Sequence, residues 1–343
     1  MPAPDFSTFP EVSKADWLAA VQKQLKGKDP ATLGIEVEGT RVDPFAHPDD
    51  RPEAQPPVPV PGRWTVSERL VVGEELSVAN QQLLTALNGG VQAPEIELSR
   101  VLDTAQWQTL FDGVEAAYID VHIVDGAGDE ALLHKLNTAL GADWTGTVQS
   151  GKPQESESAG VRTLGCTLTN DYDEAAAVSQ LGDLYQQTQW HLAAAPDKSS
   201  AAGQLHYRVP VGRKYLVAIA KLRALRILVA QACAAYGLTN VPLPIIAAYA
   251  HPQAFDEQPY TNLIRWGSLA LSAVAGGADR VIAPQLPTTT EVTGTFNARI
   301  ARNALHVLQL EGGVAEVHDP AAGSFYLEEL TDQLVAAVGE RLG

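Results

Sequence analysis

The chain has 343 residues, of which 45% are hydrophobic and 19% charged. That length and balance suit one large buried core, or one domain with an extension, better than several small domains. The 24 Lys and Arg face 41 Asp and Glu, and the resulting formal charge of -17 argues against nucleic acid or an anionic membrane as partner.

Cys166 and Cys233 are the only cysteines, too few for a disulfide framework, so a reducing cytosol is the simpler reading. No charged segment leads into an apolar run at the N-terminus, and no apolar stretch reaches the roughly 18 residues of a membrane span. The chain therefore reads as soluble and cytoplasmic.

In chain order, residues 13–27 read as a helix. Ser13 is a candidate N-cap, with Asp16 three residues on as a capping-box partner. Trp17, Leu18, Val21 and Leu25 share one face, and Gly27 suits the stop. Residues 35–42 alternate around Glu38-Gly39 and read as a small hairpin or a strand. Residues 51–62, RPEAQPPVPVPG, are stiffened by proline and read as a spacer. Residues 1–62 are thus expected to form an N-terminal arm and Pro-rich linker outside the main core, and residues 63–343 the main domain.

Beyond residue 90, short β-like runs alternate with helical patterns. Strands are expected at 94–98, 118–123, 144–148, 163–169, 205–211, 245–250 and 280–284. Helices are expected at 104–114, 129–140, 174–193, 213–236, 262–275 and 296–311. Such alternation implies parallel strands joined by right-handed crossovers. The seven strands fall one short of a (β/α)8 barrel, and the polar stretch 150–160 sits where a further unit would fit. The fold class expected is α/β: a TIM-type (β/α)8 barrel, degenerate or shortened, with an N-terminal helical extension. An open doubly wound sheet is the alternative, although no Gly-rich dinucleotide fingerprint follows the first strand.

Three stretches carry a more specific signal: 213–237 (RKYLVAIAKLRALRILVAQACAAYG), 256–281 (DEQPYTNLIRWGSLALSAVAGGADRV) and 296–334 (FNARIARNALHVLQLEGGVAEVHDPAAGSFYLEELTDQL). They resemble consecutive βα units late in the acyl-CoA-binding barrel of methylmalonyl-CoA mutases. The start, FPEVSKADWLAAVQKQLKGKD, is similar to the N-terminal arm of the small subunits of that family, and WTVSERL at 64–70 to the lead-in of the barrel. The resemblance is weak between about residues 95 and 200. Read locally, Ala220, Leu222, Leu225 and Leu228 form a helix face, while Lys221 and Arg223 read as a solvated helix edge rather than phosphate contacts. Gly276-Gly277 reads as a helix stop, and Asp319-Pro320 with Gly323 as a turn.

The resemblance implies radical chemistry in which adenosylcobalamin does the bond homolysis and the protein orients and protects. It also implies a cobalamin domain after the barrel; this sequence resembles the barrel portion. The family's Asp-x-His-x-x-Gly cobalt-ligand signature is only approached at Asp120-Val121-His122, where Gly126 comes one residue late. His122 therefore reads as a half-buried or edge histidine. At the barrel mouth the resemblance sets Arg69 where the catalytic chain has a tyrosine, and Thr167 at the catalytic histidine. Gln204 and His206 stand in place of an arginine and a serine, and Ile246 and Ala248 in place of a histidine and a glutamine. Ile282, Pro284, Pro287 and Thr288 occupy a polar region of the family. His206 reads as solvated or satisfied. Losing one transition-state donor typically slows a reaction by about 10²–10³-fold, so losing several implies no catalytic residue here.

The expectation is a non-catalytic small subunit that pairs with a large subunit bearing adenosylcobalamin, binds no cofactor itself, and wraps its arm around the partner; the arm folding back on its own barrel is the alternative. A stand-alone acyl-CoA or small-molecule binder would need a basic patch, for which Arg69, Arg208, Arg213 and Lys214 are the candidates. An active mutase is a third reading, which the missing mouth residues oppose. The eight histidines show no metal-ligand spacing. Glu328-Glu329 reads as the exposed start of a last helix, and Glu311 as non-catalytic.

Overall fold

The computed structural model describes residues 10, 12–50, 58–141, 143–150, 160–170, 172–239, 241–287, 294–314 and 316–343. The expectations for residues 51–57 of the spacer, for 151–159 of the polar stretch and for Thr288 lie outside the described residues.

Helix α1 (Lys14–Gln24) carries the expected capping box: the Ser13 hydroxyl accepts from the Asp16 N–H, and the Asp16 carboxylate accepts from the Ser13 N–H. None of its residues is buried, and Trp17 stacks on Phe45 with ring centroids 4.2 Å apart. The hairpin of β1 (Ile35–Val37) and β2 (Thr40–Val42) turns through Glu38 and Gly39, both at positive φ. Its Val37 and Val42 are buried in the main hydrophobic cluster, which corrects the expectation that everything before residue 63 lies outside the core.

Among the described residues nine strands follow one another in parallel: β3 (Thr65–Val72), β4 (Glu95–Leu98), β5 (Asp120–Asp125), β6 (Thr145–Ser150), β7 (Val161–Arg162), β8 (Leu164–Thr167), β9 (Leu205–Val211), β10 (Ile245–Ala250) and β11 (Arg280–Ala283). Their order round the sheet is β7-β6-β5-β4-β3-β11-β10-β9-β8. Only Thr163 separates β7 from β8. The first pairs with β6 and the second with β9, so the two act as one interrupted strand and the sheet closes round as an eight-stranded barrel. The Thr163 N–H, lost to the ladder at the break, donates to Gln204 Oε1 at 3.1 Å. The strand missing from the sequence reading is β3. Its inward positions hold Ser67 and Arg69, so it lacks the apolar run that marks a parallel strand.

The helices are α2 (Leu76–Asn88), α3 (Thr104–Leu110), α4 (Leu132–Leu140), α5 (Ala177–Ala194), α6 (Lys198–Gln204), α7 (Tyr215–Ala235), α8 (Pro259–Ala275), α9 (Gly294–Leu310) and α10 (Phe325–Leu342). Two hydrophobic layers line the outside of the barrel. One joins β8–β11 to α5, α7, α8, α9 and α10, and the other joins β4–β7 to α2, α3 and α4.

Helix α7 lies between α5, α8 and α10, which overturns the solvated-edge reading of its cations. Lys221 is buried and donates to Gln180 Oε1 and the Pro210 carbonyl. Burial drives its pKa down to about 7. Arg223 is buried against Asp319, whose other oxygen accepts the Val58 N–H at 2.9 Å. Glu328 is likewise buried rather than exposed, and accepts from the Gly323 N–H. The hairpin is pinned by Glu38, which accepts from the Ser179 N–H, and Arg341 reaches the same Ser179 hydroxyl. No helix is long and apolar enough to cross a membrane among the described residues.

Asp319→Ala leaves the Arg223 guanidinium and the Val58 N–H buried without their shared acceptor. A loss of about 3–5 kcal/mol is expected, as for other half-broken buried pairs. Urea unfolding of the two proteins measures it, and a loss below about 1 kcal/mol would mean that Arg223 finds another partner.

Candidate functional site

Side chains alternate across each strand, and the ladder registers sort them into an outer and an inner set. On β9, Tyr207 and Val209 face the helices, while His206 and Arg208 face the barrel axis. On β10, whose Ala247 and Tyr249 stand opposite Arg208 and Pro210, the outward positions are Ile246 and Ala248. The alignment that set Ile246 and Ala248 in the barrel mouth is thus one residue out of register: the inward positions are Ala247 and Tyr249. Ile282 and Thr167 do line the mouth.

Barrels of this type usually fill their axis with layers of Val, Ile and Leu. Here the axis is polar, built from Ser67, Glu95, His122, Thr147, His206, Arg208 and Arg280, of which all but Arg208 are fully buried. Glu95 is at the centre. Arg208 grips it with two parallel bonds, Nε to Oε2 and Nη2 to Oε1, both 3.0 Å. The Arg208 guanidinium also lies 4.1 Å above the Tyr249 ring. His122 approaches the same Oε2 with Nε2 at 3.4 Å, an electrostatic contact without hydrogen-bond geometry, and its Nδ1 meets the Thr147 hydroxyl. Arg280 donates to that hydroxyl and pairs with Asp120. The His206 ring stands edge-on to His122, 6.1 Å between centroids, and neither of its nitrogens has a hydrogen-bond partner among the described residues. It is therefore neither the solvated nor the satisfied histidine expected.

Burial alone would raise the Glu95 pKa, but Arg208 and His122 outweigh it and hold the carboxyl at about 2. Burial pushes His122 below its ordinary value, against the pull of Glu95. His206 falls well below, through burial and then the charges of His122, Arg280 and Arg162.

Above this axis, at the C-terminal strand ends, opens a cavity of about 850 Å³ lined by Arg69, Thr167, Arg208, Tyr249 and Ile282, with Asp256 and Glu257 on its rim. A second cavity of about 950 Å³, between α2 and α9, shares Arg69 with it. Of the four basic candidates, the fold brings Arg69 and Arg208 together. Both are already paired, Arg69 with Glu97 and Arg208 with Glu95. Arg213 lies apart on the β9–α7 connection, paired with Glu174 at 2.6 Å, and Lys214 beside it points to the Glu36 carbonyl of the hairpin. Glu95, His122 and Thr147, which sequence reasoning missed as a group, come from three separate strands; only a barrel register could have joined them.

His122 does not fit a cobalt ligand. Its ring is enclosed in the barrel axis with one nitrogen on Thr147 and the other facing Glu95. Among the described residues no group of three or more His, Cys, Asp or Glu is arranged to hold a metal ion.

Burial lowers the pKa of both His206 and His122 in the fold, from the ordinary value of 6.5 that they regain once exposed. The unfolded chain therefore takes up protons first as pH falls, and stability is present above 6.5 and lost progressively below it. That window lies above the carboxylate range. Urea midpoints are expected to fall between about pH 7.5 and about pH 5.5, and to fall less in the His206→Gln variant. An equal fall in both proteins would remove His206 from the account.

Known proteins agree with this geometry. A family model described as methylmalonyl-CoA mutase matches residues 169–342. The small subunit of methylmalonyl-CoA mutase from Porphyromonas gingivalis is 25% identical over 96% of this chain and 62% of its own length. That of Streptomyces virginiae is 31% identical over 81% of this chain and 50% of its own length. A methylmalonyl-CoA mutase from Rhizobium meliloti is 32% identical over 39% of this chain and 19% of its own. The chain thus spans between a half and two thirds of the length of the small subunits that it matches across most of itself. The matched segment runs from just after β8 to the end of α10, more than half of the chain. The chain belongs to the methylmalonyl-CoA mutase family, among its small subunits.

Proposed function

We propose that this chain is a non-catalytic partner in a heterodimeric, adenosylcobalamin-dependent mutase that interconverts methylmalonyl-CoA and succinyl-CoA. The large subunit would hold the cofactor and carry the reaction. The observation that carries this reading is the closed state of the mouth: the two arginines facing the cavity are spent on Glu97 and Glu95, and Ile282, Pro284 and Pro287 supply no proton or hydrogen-bond donor. A mutase site must clamp a carboxylate and a thioester at once, and Arg69 and Arg208 are already engaged by carboxylates of this chain. Two free, buried cysteines fit a reducing compartment, and we place the protein in the cytoplasm.

The role left to the barrel is to stabilise the large chain. The exposed α1, whose Trp17 stacks on Phe45, supports an arm that reaches a partner, while the buried hairpin fixes the root of that arm to its own barrel.

Co-expression with a candidate large subunit tests the reading. The two chains are expected to co-purify, and the large chain alone to lose activity or solubility. Turnover by this chain alone with added adenosylcobalamin would sink it. The second reading, an acyl-CoA or small-molecule binder, is favoured by the cavity of about 850 Å³. It predicts micromolar heat of binding for a CoA ester by calorimetry, lost in Arg69→Ala, with no large-subunit capture.

A further inference from the structure

Two donors compete for one carboxylate oxygen in the barrel axis. Arg208 Nε donates to Glu95 Oε2 at 3.0 Å, and His122 Nε2 faces the same Oε2 at 3.4 Å without a hydrogen bond. Arg208 is also the member of this set that lines the mouth cavity, with its guanidinium held flat over Tyr249.

We propose that Glu95 is a proton-controlled latch: protonation of His122 transfers the carboxylate from Arg208 to the imidazolium and frees Arg208 to take a small carboxylate ligand in the mouth cavity. In the imidazolium both ring nitrogens donate, Nδ1 to Thr147 Oγ1 and Nε2 to Glu95 Oε2. The proton comes from solvent, and no bond other than hydrogen bonds is made or broken. Glu95 keeps its charge and its burial throughout, so the axis never holds a lone carboxylate. Arg208 needs little movement, because its planar fork is already aligned by Tyr249.

The groups packed around His122 set the direction. Glu95 of β4 favours its charged form. Arg280 of β11 and Arg208 of β9 oppose it, His206 of β9 stands neutral at its edge, and Thr147 of β6 holds Nδ1. Arg69 of β3 lies on the far side of Glu95 at 3.9 Å, and Asp120, on the same strand as His122, is engaged by Arg280. An anion arriving at Arg208 removes one of the two opposing cations. The bound ligand and the proton therefore help each other, and by linkage each raises the affinity of the other by the same factor. The inference does not rest on pairing with a large subunit, since every group belongs to this chain.

The test is calorimetric titration of the full chain with trifluoroacetate, a carboxylate that stays ionised across the range, at about pH 6 and about pH 8. Affinity is expected to rise on acidification by up to about tenfold per pH unit, the limit for one linked proton. His122→Gln keeps the Thr147 contact within reach but cannot become charged, and is expected to show weak, pH-independent binding. His206→Gln is expected to keep the pH dependence, and Arg208→Gln to abolish binding at both values. In imidazole NMR of the wild-type chain, the His122 titration should move upward on adding trifluoroacetate, a readout that does not depend on any variant folding. No binding at either pH, pH-independent wild-type affinity, or a His122 titration unmoved by the ligand overturns the latch. So does pH dependence that survives His122→Gln and disappears in His206→Gln.

Discussion

Glu95 and Arg208 form the one interaction on which the rest of the barrel depends. A carboxylate with no exposed surface is tolerated only when paired and hydrogen-bonded. The pair spans the axis from β4 to β9, across 113 residues of sequence. Once it is in place, much else follows. The mouth loses a free cation, His122 faces a carboxylate oxygen that Arg208 already engages, and His206 is left neutral among positive neighbours. A barrel filled with aliphatic side chains would impose none of these conditions.

The same rule operates outside the barrel, on α7. A helix enclosed by three others has no solvent face for Lys221, Arg223 or Arg226, so each cation is given a fixed acceptor. These are Gln180 and the Pro210 carbonyl, Asp319, and Asp279 with the Gly277 carbonyl. These contacts tie α7 to α5, to the loop before α10 and to the turn before β11. Asp319 accepts a positive φ of 46° to make its contact. The segment at Val58 is joined to the barrel through this aspartate, so a buried charge pair serves as the anchor for the chain that leads into β3.

Much of this fold is legible in the sequence, because the outward faces of the strands are apolar and the helices have regular stripes. The strands 205–211 and 245–250 are found to the residue. What escapes detection on β3 has a simple cause. The inward faces are polar, so β3, with Ser67 and Arg69 pointing inward, does not resemble a buried strand. The period-2 phase of β10 is also misread by one residue, since Ile246 and Ala248 mimic a degraded mouth while packing against helices. Lys221 and Arg223 look solvated because charge alone says nothing of what a neighbouring helix covers. Arg69 and Arg208 are recognised as candidates from their type and place; that both are already neutralised depends on Glu97 and Glu95, whose strand is brief and whose contacts are distant in sequence.

The axis residues come from both sides of the matched segment's boundary. Arg208, His206, Tyr249 and Arg280 lie inside the segment that matches the mutase family model, whereas Glu95, His122 and Thr147 lie on β4, β5 and β6, before it. Arg208 and Arg280 are therefore furnished by the part of the barrel that the family model matches, and the carboxylate that pairs with Arg208 by a strand before it. A barrel closes only if its halves fit each other in charge as well as in strand register. A carboxylate supplied by β4 satisfies Arg208 without any change in β9, β10 or β11. What makes Arg208 structural is thus a residue outside the matched segment, brought to it by the closure of the barrel.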